Sequence, residues 1–367
     1  TRHHAADRVA HPRRPPAAAG SVPSPAAVLA CGTIPSLYAL PITDQFSLSG
    51  LVNNVSTFRL SDLQAFTPLT QNVSFQSGSG TVSTSFTGVP LYDFLTSPQG
   101  GGGIIQSSGI KNDILRDYVV ATGSDGYRAV YSVGEMHPNF GGQKDLIAYQ
   151  SNGQPLGNDG FARTTAPGDI AGGRYVSNLS SLQVQSATPA SLIAGTGGGL
   201  STQFTLSGQV SQTGTYNLAA LQSLPSATQA VTYRAGQSTV TGTFTGVPLW
   251  TLLSNAGLIT NPNIKNDLLG KYLVATGSDG YKAVIALGEI SPRFGNNNSL
   301  VAYSVNGQGL GADGFARLVV PVLEEFTGSL ARTEWQACLA ALLRLQKVHP
   351  ALLSTPAGAD APAGSGS

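Results

Sequence analysis

The sequence predicts an α+β protein built as two tandem copies of one strand-rich unit. Three observations predict it. The octapeptide VATGSDGY stands at 120–127 and again at 274–281. Longer matches flank it at a nearly constant offset. Runs of alternating apolar and polar residues also outnumber stretches with helical spacing.

The composition suits that reading. A chain of 367 residues is long enough for two domains of ordinary size, each with its own core. Charged residues make up 11% of the chain, less than half the usual share, so Ser, Thr, Asn, Gln and 45 Gly must carry the surface. Such a hydroxyl-rich surface points to an exported protein, periplasmic or extracellular. The net charge of +1 gives no attraction for nucleic acid or anionic membranes. No run approaches the roughly 18 apolar residues of a membrane span. Cys31 and Cys338 both lie outside the repeat, and nothing in their spacing argues for a disulfide. Val28-Leu29-Ala30-Cys31 resembles a lipoprotein cleavage box, although Pro23 and Pro25 break the apolar region before it.

The repeat sets the expected domains. FSLSGLV at 46–52 matches FTLSGQV at 204–210, and FTGVPLYDFL at 86–95 matches FTGVPLWTLL at 244–253. IKNDIL at 110–115 matches IKNDLL at 264–269, and AYQSNGQPLGNDGFAR at 148–163 matches AYSVNGQGLGADGFAR at 302–317. The offset falls from 158 to 154 because the first copy has extra glycines around Gly100–Gly103. A period this long marks duplicated domains, since solenoid repeats run at roughly 20–50 residues. The expected division is an N-terminal arm at 1–44, a first domain at 45–186 and a linker at 187–203. A second domain at 204–321 then lacks its last strand, and a divergent tail at 322–367 has room for one helix. Apolar Leu330, Trp335, Leu339, Leu342 and Leu343 support that helix; a lost reading frame explains the divergence equally well.

Within one unit, FTLSGQV alternates as a half-buried strand. TYNLAALQSL reads as a short helix capped by Asn217. VTYRAGQSTVTGTF reads as two strands around a Gly turn. GVPLWTLLSNAGL reads as a helix opened by Pro248 and stopped by Gly257. YLVATGSDGYKAVIAL is two strand-forming runs around a turn, with Gly123 and Gly126 (Gly277 and Gly280) expected to supply positive φ. Asp125 and Asp279 are expected to bond their own turn backbone, with Tyr127 and Tyr281 packing at the next strand. LVAYSVNGQGLG and GFARLVVP add two more strands.

The ordered set GVPL, DGY, a following Glu, AY..NG..L, GFAR and finally GGRYV resembles the sulfite-oxidase-type molybdopterin-binding domain. The resemblance covers most of both copies and implies a mixed α+β fold. In the enzymes, that fold holds molybdenum through a pterin dithiolene and one cysteine thiolate on the loop before the GVPL helix. Here the stretches SFQSGSGTVSTSFTG and TYRAGQSTVTGTFTG contain no cysteine, and no oxygen donor replaces a soft thiolate conservatively. Where the family carries a phosphate-binding His, this chain has Asp159 and Asp313; the position of the family's closing Lys holds Ser177. Arg163 and Arg317 alone keep the family's cationic, cofactor-binding position.

Other constellations are sparse. His3 and His4 lie in the arm and His349 in the tail, with no metal-ligand spacing. Glu135 and Glu289 follow the hairpin and are expected on a solvated face, a cation site or acid–base pair being the alternative. No residue is assigned a catalytic or metal-binding role. The expected function is a non-catalytic, exported binding or scaffold protein without a cofactor, whose partner is a small ligand, a glycan or a protein. The alternative is a molybdenum-cofactor oxidoreductase in which Ser79 or Thr239 stands in for the thiolate. In either case the two domains are expected to be able to pack on each other.

Overall fold

The computed structural model describes residues 42–187, 198–235, 238–321 and 342–347, all within one compact unit, Leu40–Ser367. In chain order the first part has β1 (Gln45–Gly50), β2 (Ser56–Arg59), α1 (Leu60–Gln64), β3 (Leu69–Ser77), β4 (Gly80–Pro90) and α2 (Leu91–Thr96). It continues with β5 (Asp117–Gly123), β6 (Arg128–Ser132), α3 (Val133–Met136), β7 (Leu146–Ser151), β8 (Gln154–Pro155), β9 (Arg163–Thr165) and β10 (Leu179–Ser186). The second part has β11 (Gln203–Gly208), β12 (Gly214–Asn217), α4 (Leu218–Gln222), β13 (Ala227–Ala235), β14 (Ser238–Pro248) and α5 (Leu249–Asn255). Then follow β15 (Lys271–Thr276), β16 (Lys282–Ala286), α6 (Leu287–Ile290), β17 (Leu300–Val305), β18 (Gln308–Gly309), β19 (Arg317–Val319) and β20 (Leu342–Lys347). The protein is a strand-rich mixed α/β structure.

Four sheets result, and they match in pairs. The order β2-β1-β10-β5-β6 returns as β12-β11-β20-β15-β16, and β3-β4-β7-β8 with β9 returns as β13-β14-β17-β18 with β19. In the first kind of sheet one pairing is parallel, β1 with β10 and β11 with β20. The strand β20 corrects the expectation of a missing last strand and of a helix reaching Leu342 and Leu343. Its backbone pairs with β11 and β15 as β10 pairs with β1 and β5. Helical spacing in an apolar run did not decide the outcome, because two open strand edges were there to be satisfied. Residues 322–341, which carry Leu330, Trp335 and Leu339, lie outside the described residues, as do residues 1–41 of the arm, Cys31 and Cys338.

Local chemistry accounts for the elements. In β1, Phe46 and Leu48 point inward while Gln45 and Ser47 face solvent, the period-2 pattern of a half-buried strand. Asn217 caps α4 by accepting from the Ala220 amide at 2.9 Å. Pro248 lies immediately before α5, and Gly257 just beyond it takes a φ of +70°. At Gly88 the β4–β7 register shifts; a Cβ there would lie 2.3 Å from the Ile147 carbonyl oxygen, so only glycine fits. The core of the first part centres on Phe46, Phe58, Phe66 and Phe94, with Phe58 and Phe94 edge-to-face at 4.8 Å.

Strand β5 is buried on both faces. Val119 and Ala121 enter the large core, whereas Tyr118 and Val120 turn the other way and meet Tyr272, Val274 and Val284. The contact is reciprocal. Tyr118 and Tyr272, 154 positions apart, place their rings 4.3 Å apart with hydroxyls at 3.2 Å. An isologous contact of this kind is what a two-fold arrangement produces.

Candidate functional site

The repeated octapeptide folds as the hairpin turn joining β5 to β6 and β15 to β16. Asp125 accepts from the Tyr127 amide, and Asp279 from the Tyr281 amide, each at 2.9 Å. Positive φ falls only on Gly126 (+81°) and Gly280 (+85°). This corrects the expectation for Gly123 and Gly277. Gly123 is needed for space instead, since a Cβ there would meet the Ser177 carbonyl oxygen at 2.8 Å. The tyrosines go beyond packing at a strand start. Asn266 donates to the Tyr127 hydroxyl at 2.8 Å, and Asn112 donates to the Tyr281 hydroxyl at 3.1 Å. Each turn thereby reaches across to the other part of the chain. Burial raises the Tyr127 pKa, which keeps it a neutral hydrogen-bonding group.

These contacts make a prediction about the turn. Asp125→Asn and Asp279→Asn should melt close to the parent, because Asn also bonds the turn backbone. The Ala variants should each lose on the order of 1 kcal/mol, and Gly126→Val or Gly280→Val more, through strain at positive φ. A thermal-melt series reads all of this; unshifted glycine variants would contradict it.

Arg163 and Arg317, the cationic positions the resemblance assigns to the cofactor, are engaged by the protein's own side chains. Arg163 donates through Nη1 to Asp159 at 2.5 Å and lies over the rings of Phe86 and Tyr175. Arg317 repeats the arrangement, donating to Asp313 at 2.7 Å over Tyr233 and Phe244. The aspartates that replace the resemblance's histidine thus serve as counter-ions. Ser79 is exposed at the tip of the β3–β4 hairpin, its Oγ 3.0 Å from that of Ser77. Thr239 is exposed on β14. The described residues contain no cysteine, and no group of three or more His, Cys, Asp or Glu among them is placed to hold a metal ion. The donor set among the described residues does not fit a molybdenum–dithiolene centre, which needs a soft ligand and cations free for phosphate.

The densest charge chemistry lies where the two parts meet. Arg174 is 1% exposed. Its Nη1 donates to both Glu135 oxygens at 2.7 and 2.8 Å, and its Nε and Nη2 donate to Asp169 at 2.9 and 2.6 Å. Asp145, 1% exposed, has no hydrogen-bond partner at either carboxylate oxygen. Glu289 accepts from the Ala286 amide at 2.8 Å. The placement of Glu135 and Glu289 corrects the expectation of a solvated face: both are turned inward, Glu289 to 3% exposure. Position in sequence gave no sign of this, because the carboxylates fill one turn of α3 and α6 whose solvent side is covered by the other part.

Burial pushes the Asp145 carboxyl well above its ordinary range, with Glu135 adding to it. Glu289 is displaced upward for the same two reasons. Burial also raises Glu135 and Asp169, opposed in each by Arg174. Burial disfavours the Arg174 cation, but Asp169 and Glu135 outweigh it and hold its pKa above normal. Four carboxyl groups share one guanidinium in this dry site, and the two that Arg174 does not bond, Asp145 and Glu289, are the ones pushed furthest up.

Among the described residues, this junction is flanked by a groove. The groove, of ≈ 560 Å³, is lined by Gln106, Ser107, Asn112, Asp113, His137 and Phe140, among others. His137 sits between the rings of Tyr92 and Phe140, and burial lowers its pKa.

With this geometry described, comparison places part of the chain. Residues 200–327 match the oxidoreductase molybdopterin binding domain. That stretch covers β11 to β19, so a molybdopterin-binding oxidoreductase-type domain is present in the second part. No curated protein sequence matches the chain. Among solved structures, the sulfane dehydrogenase SoxCD from Paracoccus pantotrophus aligns at 12% identity and a TM-score of 0.34, over 67% of this chain and 79% of that one. Among the described residues no helix is long and apolar enough to cross a membrane.

Proposed function

We propose that the protein is an exported, non-catalytic binding or scaffold protein. In this reading it consists of two tandem copies of the molybdopterin-binding domain that have lost the cofactor, paired through their octapeptide turns. The observation that carries it is the closure of the cationic positions: Arg163 and Arg317 are each spent on an aspartate and two aromatic rings. A phosphate would have to displace Asp159 or Asp313, trading one carboxylate for another anion with no gain in charge. The repeated sheet order and the reciprocal Tyr118–Tyr272 contact support the duplicated, self-paired arrangement. The hydroxyl-rich, low-charge surface supports export. The partner is a small ligand, a glycan or a protein.

The rival is an oxidoreductase using Ser79 or Thr239 as metal ligand, favoured by the domain match at 200–327. Denaturing extraction of protein made in a cofactor-competent host separates the two. We expect no pterin fluorescence in the extract and no transfer of electrons to an artificial acceptor. One pterin per chain would overturn the proposal.

A further inference from the structure

Asn152-Gly153 and Asn306-Gly307 stand at equivalent positions of the two parts. Each dipeptide is the turn of a hairpin, β7 to β8 in the first part and β17 to β18 in the second. Both residues of each turn have positive φ, +51° and +74° in the first and +51° and +77° in the second, the geometry for which Asn-Gly is the preferred pair. Among the described residues, the non-glycine residues at positive φ are all asparagine, and of these only Asn152 and Asn306 are followed by glycine. All four turn residues are exposed. This combination has a chemical consequence. Glycine has no Cβ to shield its backbone nitrogen, which leaves the side-chain carbonyl carbon of the preceding asparagine open to attack.

The two turns are held unequally. Asn152 Oδ1 accepts from the Ser85 amide at 3.0 Å and from the Ser85 hydroxyl at 3.3 Å. In the second part Thr243 replaces Ser85, and Asn306 Oδ1 accepts from the Thr243 amide at 2.9 Å without a second bond from the hydroxyl. These bonds pin each side-chain carbonyl to β4 or β14, so a reaction at that carbonyl requires the turn to let go first.

We propose that Asn152 and Asn306 are sites of spontaneous deamidation, Asn306 being the faster. The glycine nitrogen loses its proton and attacks Cγ of the asparagine. The Cγ–Nδ2 bond breaks, Nδ2 takes up a proton and leaves as ammonia, and a cyclic imide closes. Water then adds to one of the two ring carbonyls and reopens the ring. Opening at Cγ gives aspartate; opening at the backbone carbonyl gives isoaspartate, whose chain runs through Cβ and Cγ. One water is consumed and one ammonia released at each site. Each conversion also puts a carboxylate where a neutral amide stood. On a chain of net charge +1 the first conversion brings neutrality and the second a net charge of −1. Self-association is least opposed at neutrality, so the state of these turns sets the protein's colloidal behaviour.

The test incubates the full chain in mildly alkaline buffer, then maps its proteolytic peptides by mass spectrometry, with isoaspartate methyltransferase labelling to separate the two products. Rates at each turn are divided by those of the chain in denaturant, where neither bond exists, so that the effect of neighbouring sequence cancels. Acid is expected at Asn306 first and at Asn152 about fivefold more slowly, the usual worth of one extra neutral hydrogen bond. The exposed Asn72 and Asn158, followed by Val73 and Asp159, should stay intact over the same period. Ser85→Ala, which removes the hydroxyl and keeps the amide, should bring Asn152 to the Asn306 rate. The comparison within the parent protein keeps the test valid should Ser85→Ala fold poorly. Two intact turns, equal normalised rates, or Asn152 ahead of Asn306 would each overturn the proposal. The outcome does not depend on whether a pterin binds.

Discussion

Replacing Arg174 with methionine is expected to destabilise the protein by about 3–5 kcal/mol, the cost of removing one partner from a buried ion pair. Among the described residues, the guanidinium is the single cation bonded to Glu135 and Asp169, with Asp145 and Glu289 close enough to feel the same charge. Without it, Glu135 and Asp169 either stay ionised in a dry site or take up protons. The deficit should therefore shrink as the solution is acidified and the carboxyls protonate. Arg174→Lys should recover only part of the loss, because an ammonium cannot fork toward two carboxylates at once. Denaturant melts at two pH values test this; a loss below about 1 kcal/mol that ignores pH would contradict the account.

The second large effect is an inverted pH dependence at Asp117. Burial raises this carboxyl to about 7, Ser186 and Arg116 pulling it down and Asp113 pushing it up. Its counterpart in the second part is Lys271, which pairs with Asp267 at 3.0 Å; Asp117 has no such cation at that position. The folded pKa lies above the unfolded one, so folding favours the protonated form. Its contribution is fully present below about pH 4, is lost as pH rises toward 7, and is constant beyond that. Three units correspond to no more than ~4 kcal/mol. Asp117→Asn should match the parent near pH 4 and be the more stable protein at pH 7 and above. Parallel stability curves for the two proteins from pH 4 to 7 would refute it.

Much of the fold was legible because its signals are local. Strand alternation in FSLSGLV, the Asn217 cap, the proline before α5 and the Asp-Gly turns act over a few residues, and each appears as expected. What was not legible depends on the other part of the chain. Tyr118 and Val120 alternate with core residues in a way that suits any buried strand. Only the sheet on the far side shows that they form a junction. Glu135 and Glu289 looked like solvated hairpin residues for the same reason. Strand β20 was missed because the sequence around it carries helical spacing, while the demand for a strand comes from the edges of β11 and β15. At the candidate site, the absence of a thiolate and the exchange of His for Asp159 and Asp313 could be read from the residues. That those aspartates lock Arg163 and Arg317 could not.

The central proposal is that the protein carries no molybdenum centre, its Arg163 and Arg317 being engaged by Asp159 and Asp313. The most direct measurement is the molybdenum content per chain, by mass spectrometry, of full-length protein purified from a host that makes the cofactor. The account predicts molybdenum far below one atom per chain. One atom per chain in the parent protein would contradict it.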